Sequence, residues 1–115
     1  MSLTFIDTNK IEHRRQPGAG EFAEILNREL CGAENVVGSL RWLKSGEKLD
    51  VRSDQDTHQL IYLMEGEGII TLDSRNHPVK KGSGIYLGPL ESASIQPSGT
   101  GSLKVFHLVV PHLQA

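Results

Sequence analysis

The stretch THQLIYLMEGEG, residues 57–68, decides how the chain is read. Gln59, Ile61 and Leu63 alternate with Leu60, Tyr62 and Met64, and that period of two marks a strand. The run ends in EGEG, where Gly66 and Gly68 supply backbone conformations that other residues avoid. A second apolar run, residues 69–72, follows at once, so the two are expected to pair as a hairpin. Keeping Ile61 and Leu63 inside puts Gln59 inside and His58 outside, because adjacent strand residues face opposite ways.

The same pattern recurs in both directions from this stretch. Residues 36–43 form an apolar run that stops at KSGEK, and DSRNHP, residues 73–78, reads as a turn cluster. Residues 79–81 and 85–87 flank GSG, Gly88 and Pro89 make a break, and 93–96 and 103–110 are separated by PSGTGS. Seven or eight short strands with turn signals about every 8–12 residues predict an all-β sandwich or small barrel. EFAEILNREL, residues 21–30, also fits a helical stripe through Phe22, Ile25, Leu26 and Leu30. A short chain needs most of its length to close a barrel, so a strand is expected there.

Composition narrows the function classes. A chain of 115 residues forms one compact domain. With 12 Lys and Arg against 14 Asp and Glu, and no run of five or six like charges, it lacks the electrostatic footprint of a nucleic-acid or anionic-membrane binder. Lys80 and Lys81 read as a solvated turn. Cys31 is a lone cysteine, MSLTFIDTNKIEHRR offers no signal-peptide core, and no apolar run approaches the ~18 residues that span a bilayer. A cytoplasmic setting is expected.

Two glycine-framed spacings carry a family resemblance. From Gly46, five residues lead to Arg52, then Asp54, four more to Gln59 and six more to Gly66. From Gly82, the corresponding second series falls on Gly88, Leu90, Ala93 and Pro97. The chain resembles a single-domain cupin of the RmlC-like, cupin type-2 class over residues 35–111, with residues 1–34 as an N-terminal segment that completes the barrel or a dimer interface. The resemblance implies a double-stranded β-helix, or jelly-roll barrel, built by residues 35–115. It also implies a transition metal held by three histidines and a glutamate, but the four positions that would carry them are Arg52, Asp54, Gln59 and Ala93. Ala93 has no donor, the Gln59 carbonyl binds weakly and the Arg52 charge repels a cation, so the usual metal is not expected.

The candidate site is therefore metal-free. Arg52, Asp54, Gln59, Tyr86 and His107 are the candidate ligand-binding residues, for a small polar or anionic molecule. In LKVFHLVV, Lys104 shares a face with Phe106 and Leu108, which leaves Val105 and His107 for the other face, the candidate interior. His107 reads as a core histidine held by one hydrogen bond or, beside Asp54, as half of an acid–base pair like that of metal-independent cupin epimerases. A substitute ligand set of Asp54, His58 and His107 is the metal-dependent alternative, with Asp56 a further neighbour. Trp42 and Tyr62 are read as packing residues of the core or of a dimer face. Three functions stay open: a binding protein, an enzyme of isomerase, cyclase or oxygenase type, and a structural dimer with a vestigial pocket. In each the expected partner is a second copy of the chain, because a small open barrel leaves an edge or an apolar face unprotected.

Overall fold

The computed structural model describes residues 10–26 and 36–110, and every regular element among them is a strand. In chain order these are β1 (Arg14–Arg15), β2 (Glu21–Leu26), β3 (Val37–Leu43), β4 (Leu49–Arg52), β5 (His58–Glu65), β6 (Glu67–Leu72), β7 (Arg75–Lys80), β8 (Gly84–Leu87), β9 (Ser92–Pro97) and β10 (Leu103–Val110). They form a six-stranded sheet in the order β1-β2-β3-β10-β5-β8 and a four-stranded sheet in the order β4-β9-β6-β7. Every pairing is antiparallel. The all-β expectation holds, and β2 shows that 21–26 is strand; residues 27–30 and Cys31 lie outside the described residues. No helix here is long and apolar enough to cross a membrane.

The core follows from alternation. Strand β5 buries Ile61 and Leu63, β10 buries Leu103 and Val105, and β3 adds Leu43; from the other sheet β4 contributes Leu49 and Val51, β6 Ile70, and β9 Ala93 and Ile95. Each set comes from one phase of a period-two pattern, so burying one face of each sheet against the other closes the barrel.

The expected hairpin between residues 59–64 and 69–72 does not form. β5 lies in the six-stranded sheet and β6 in the four-stranded one, so EGEG carries the chain from one sheet to the other. Gly66 has φ +94°, and a Cβ there would stand 2.2 Å from the Ser102 carbonyl oxygen. At Gly68 a Cβ would stand 2.5 Å from the Gln96 carbonyl oxygen. The glycines serve a crossing where the strand passes close under the backbone before β10 and along β9, a demand that spacing alone does not separate from a tight turn.

The tight hairpin is β6–β7. Leu72 faces Arg75, and the two-residue loop Asp73–Ser74 has φ of 48° and 64°, the positive pair of a type I′ turn. The turn cluster expected over 73–78 therefore contracts to its first two residues. Pro78 lies within β7, whose free edge faces solvent and does not need its missing N–H. Strands β1 and β4 bring the count above the seven or eight expected.

Candidate functional site

The polar side chains of the interior come from the six-stranded sheet and the loop after β4. On β5 the phase that buries Ile61 and Leu63 also buries Gln59, which is only 6% exposed, as expected; His58 falls on the outer phase. On β10 the phase of Val105 carries His107, opposite Ile61 on one side and Ser39 on the other. On β3 the phase of Leu43 carries Arg41 and Ser39. Ser53, just past β4, is fully buried.

Gln59 ties this interior together. Its Nε2 donates to the Arg52 carbonyl oxygen at 2.9 Å and to Ser53 Oγ at 3.1 Å, while its Oε1 lies 2.6 Å from His107 Nε2. A backbone carbonyl only accepts, so the amide orientation is fixed by Arg52, and His107 Nε2 must carry the proton given to Oε1. Burial first, and the Arg41 charge second, push the His107 pKa down to about 4, so the imidazole is neutral at pH 7. The hydrogen-bonded core histidine is thus what the geometry displays.

Arg41 is the interior cation that the sequence reading missed. It is 7% exposed, and its Nη1 donates to Gln16 Oε1 at 2.9 Å and to the Ala19 carbonyl oxygen at 2.7 Å. Its guanidinium carbon lies 4.9 Å from the centre of the Phe22 ring. The Nε–H is buried with no hydrogen-bond partner. Burial lowers the Arg41 pKa, but a guanidinium stays protonated. The available signal was the phase of VGSLRWL, in which Arg41 stands two residues before Leu43. Both phases of that strand are apolar enough to be core, so the pattern alone did not choose between them.

The other candidates stand elsewhere. Arg52 and Asp54 are exposed, which overturns their inward placement: β4 packs Leu49 and Val51 into the core, with Val51 opposite Ala93, so the pleat turns Asp50 and Arg52 outward. Arg52 gives the interior its carbonyl, and its side chain borders an open cleft of about 470 Å³ with Asp50, Thr71, Ser92 and Ser94. Asp54 is a turn residue, with Oδ1 accepting from Thr57 Oγ1 at 3.2 Å. His107 bonds Gln59 rather than Asp54, so the acid–base pair is not assembled. Tyr86 is 60% exposed, and its hydroxyl meets His58 Nδ1 at 2.5 Å on the outer face of the sheet. Of the packing residues, Trp42 is half-buried and stacks on His13 at 4.2 Å, while Tyr62 is exposed.

The interior does not fit the metal that the fold family implies. The inward positions near the family's ligand places are Val51, Ser53, Gln59 and Ala93. His107 commits its Nε2 proton to Gln59, and the nearby guanidinium repels a cation. The substitute set also fails, since His58 and Asp54 lie outside while His107 lies within. Among the described residues no three His, Cys, Asp or Glu side chains converge.

Comparison with known proteins places this geometry. Residues 50–113 match the family described as the AraC-like ligand binding domain. Over 60 residues the chain is 33% identical to an uncharacterised protein of Methanocaldococcus jannaschii, covering 52% of this chain and 48% of that one, so it spans about half the length of this relative. A Thermotoga maritima protein described as a predicted oxalate decarboxylase superposes with a TM-score of 0.81 at 19% identity, over 93% of this chain and 98% of its own. A cupin 2 conserved barrel domain protein of Salinispora arenicola superposes with a TM-score of 0.71 at 13% identity, over 96% and 88% of the two chains. At such identities the likeness establishes a shared fold, the cupin jelly-roll barrel. With the match covering more than half of its residues, the chain belongs to the AraC-like ligand-binding domain family.

Proposed function

We propose that the barrel binds a small anion at Arg41 and does so without the metal usual in cupins. The observation that carries this reading is the buried guanidinium whose Nε–H has no hydrogen-bond partner. Among the described residues the guanidinium's hydrogen bonds to the protein leave from Nη1, while Nε–H has none; the Nε and Nη2 edge is a planar fork matched to two oxygens of one anion. Membership of a family named for ligand binding supports the same reading.

The test is a thermal-shift titration of the full chain with formate, acetate and inorganic phosphate, repeated on Arg41→Gln. The expected result is a concentration-dependent rise in Tm that the substitution abolishes. No rise with any of the three, or an equal rise in Arg41→Gln, overturns the proposal.

We also propose that a second copy of the chain covers the outer face of the six-stranded sheet. Register sets Leu60 beside Tyr86 and Leu108, and Tyr62 beside Phe106, so Leu60 and Tyr62, 38% and 43% exposed, belong to one apolar ladder ending at the edge strand β8. Sedimentation equilibrium should give a dimer for the wild type and a monomer for Tyr62→Lys; a monomeric wild type refutes the proposal.

A further inference from the structure

The hydrogen bonds that fix the Gln59 amide also fix what His107 offers to a bound molecule. With the proton on Nε2 and given to Gln59 Oε1, Nδ1 keeps its lone pair and can only accept. It is an acceptor on the same inner face as Arg41, whose Nε–H is buried without a hydrogen-bond partner. Across β10 and β3, His107 faces Ser39 and Val105 faces Arg41. Arg41 and His107 are thus diagonal neighbours on one face, roughly 7–8 Å apart along the backbone. A molecule that reaches both side chains needs two different ends.

The two ends are chemically distinct. The Arg41 edge donates two hydrogen bonds and carries a positive charge, so it takes a carboxylate or a phosphate. The His107 nitrogen accepts one hydrogen bond and disfavours a second anionic oxygen, as does Glu24, which register places on the same face opposite Ser39 and which has an interaction of its own. A phosphate would turn further oxygen lone pairs toward these groups. A carboxylate with a hydroxyl close to the carboxyl carbon meets both ends.

We propose that the molecule held at Arg41 is a small hydroxycarboxylate, a 2-hydroxy or 3-hydroxy acid in chemical class. Its carboxylate seats on Nε–H and Nη2–H of Arg41, and its hydroxyl donates to Nδ1 of His107. This rests on the anion-binding reading and adds the identity of the second group. His107 is here a specificity-determining residue, and no reaction is assigned to it.

The experiment is isothermal titration of the full chain with matched pairs, lactate against propionate and 3-hydroxybutyrate against butyrate, with inorganic phosphate as a third arm. One neutral hydrogen bond should make each hydroxy acid bind about five- to tenfold tighter than its partner. In His107→Phe that preference should vanish while the plain acids still bind through Arg41. Equal affinities within each pair, a preference that survives His107→Phe, or phosphate binding as tightly as the hydroxy acids would overturn the inference alone. Failure of every acid to bind would overturn the anion reading with it. A measurement that needs no variant is the ¹⁵N spectrum of the wild-type histidines: His107 should show the Nε2-protonated neutral tautomer, and an Nδ1-protonated ring refutes the proposal.

Discussion

Arg41 and Arg52 lie on β3 and β4, consecutive strands that end in opposite environments. Arg41 shares its face with Leu43 and is buried; Arg52 alternates with Leu49 and Val51 and is exposed. The contrast extends to the interior walls that the two strands supply. The wall from the four-stranded sheet is apolar, with Leu49, Val51, Ile70, Ala93 and Ile95, whereas the wall from the six-stranded sheet interleaves Ser39, Arg41, Gln59 and His107 with its leucines and valines. Position in the pleat, rather than residue type or distance from a glycine, decides which arginine can meet a ligand.

The sharpest way to break this comparison is to put a charge on the apolar wall. Val51→Asp buries an unpaired carboxylate among Leu49, Ile95 and Ala93 and should cost roughly 4 kcal/mol, read by urea unfolding. Arg52→Glu on the same strand, facing outward, should stay within about 0.5 kcal/mol of the wild type. If Arg52→Glu were the more damaging of the two, the assignment of faces on β4 would be wrong.

Next in size is the hub of the polar wall. Gln59→Ala strips partners from the Arg52 carbonyl, from Ser53 Oγ and from His107 Nε2 together, and should cost about 3 kcal/mol. Denaturation reads that cost, and a loss under about 0.5 kcal/mol would mean water replaces the amide without penalty.

How far the sequence disclosed this arrangement depends on whether one phase of a strand was unambiguous. In HQLIYLME the phase of Ile61 and Leu63 was legible, and Gln59 followed from it; in LKVFHLVV, Lys104 marked the outer phase and placed His107 with Val105. On β4 the family spacing pointed to Arg52 and Asp54, while the short run LDVR, with Leu49 and Val51 two apart, already argued the reverse phase. The pleat, and not the glycine spacing, sets the faces of β4. On β3 both phases are apolar, so the inward turn of Arg41 was settled only by pairing with β2 and β10. The EGEG crossing was hidden for a related reason: glycines show where side chains cannot fit and leave open which sheet the chain enters next.

Acid should separate the two walls through a single titration. The folded pKa of His107, about 4, lies below the ordinary 6.5, so between these values the unfolded chain binds the proton and the folded one does not. This contribution is intact above about pH 6.5 and is lost as the pH falls toward 4. Between pH 7 and 5 it removes at most about 2 kcal/mol, the full amount applying only if the ring stays dry. His107→Phe should flatten the stability profile in that window relative to the wild type. An unchanged slope would mean that another group carries the acid sensitivity.

The smallest expected effect has the most telling sign. Arg41 is a buried cation that has lost its hydration, and among the described residues its compensation comes from Gln16, Ala19 and the Phe22 ring. Arg41→Met keeps an unbranched chain against Phe22 and exposes the Gln16 and Ala19 acceptors to a loop that water reaches. It should leave stability unchanged or raise it by about 1 kcal/mol. An arginine retained only for structure should instead lose stability on that change. The same substitution removes the charge that helps to hold His107 down, so the onset of the acid loss stays near the ordinary 6.5 while its midpoint moves upward and its total shrinks, a change read in the same denaturation series. Arg52→Met, outside the barrel, should alter neither stability nor that midpoint. A protein that gains stability and loses its anion when Arg41 is replaced would show the guanidinium to be held in place for its ligand, against the preference of the fold.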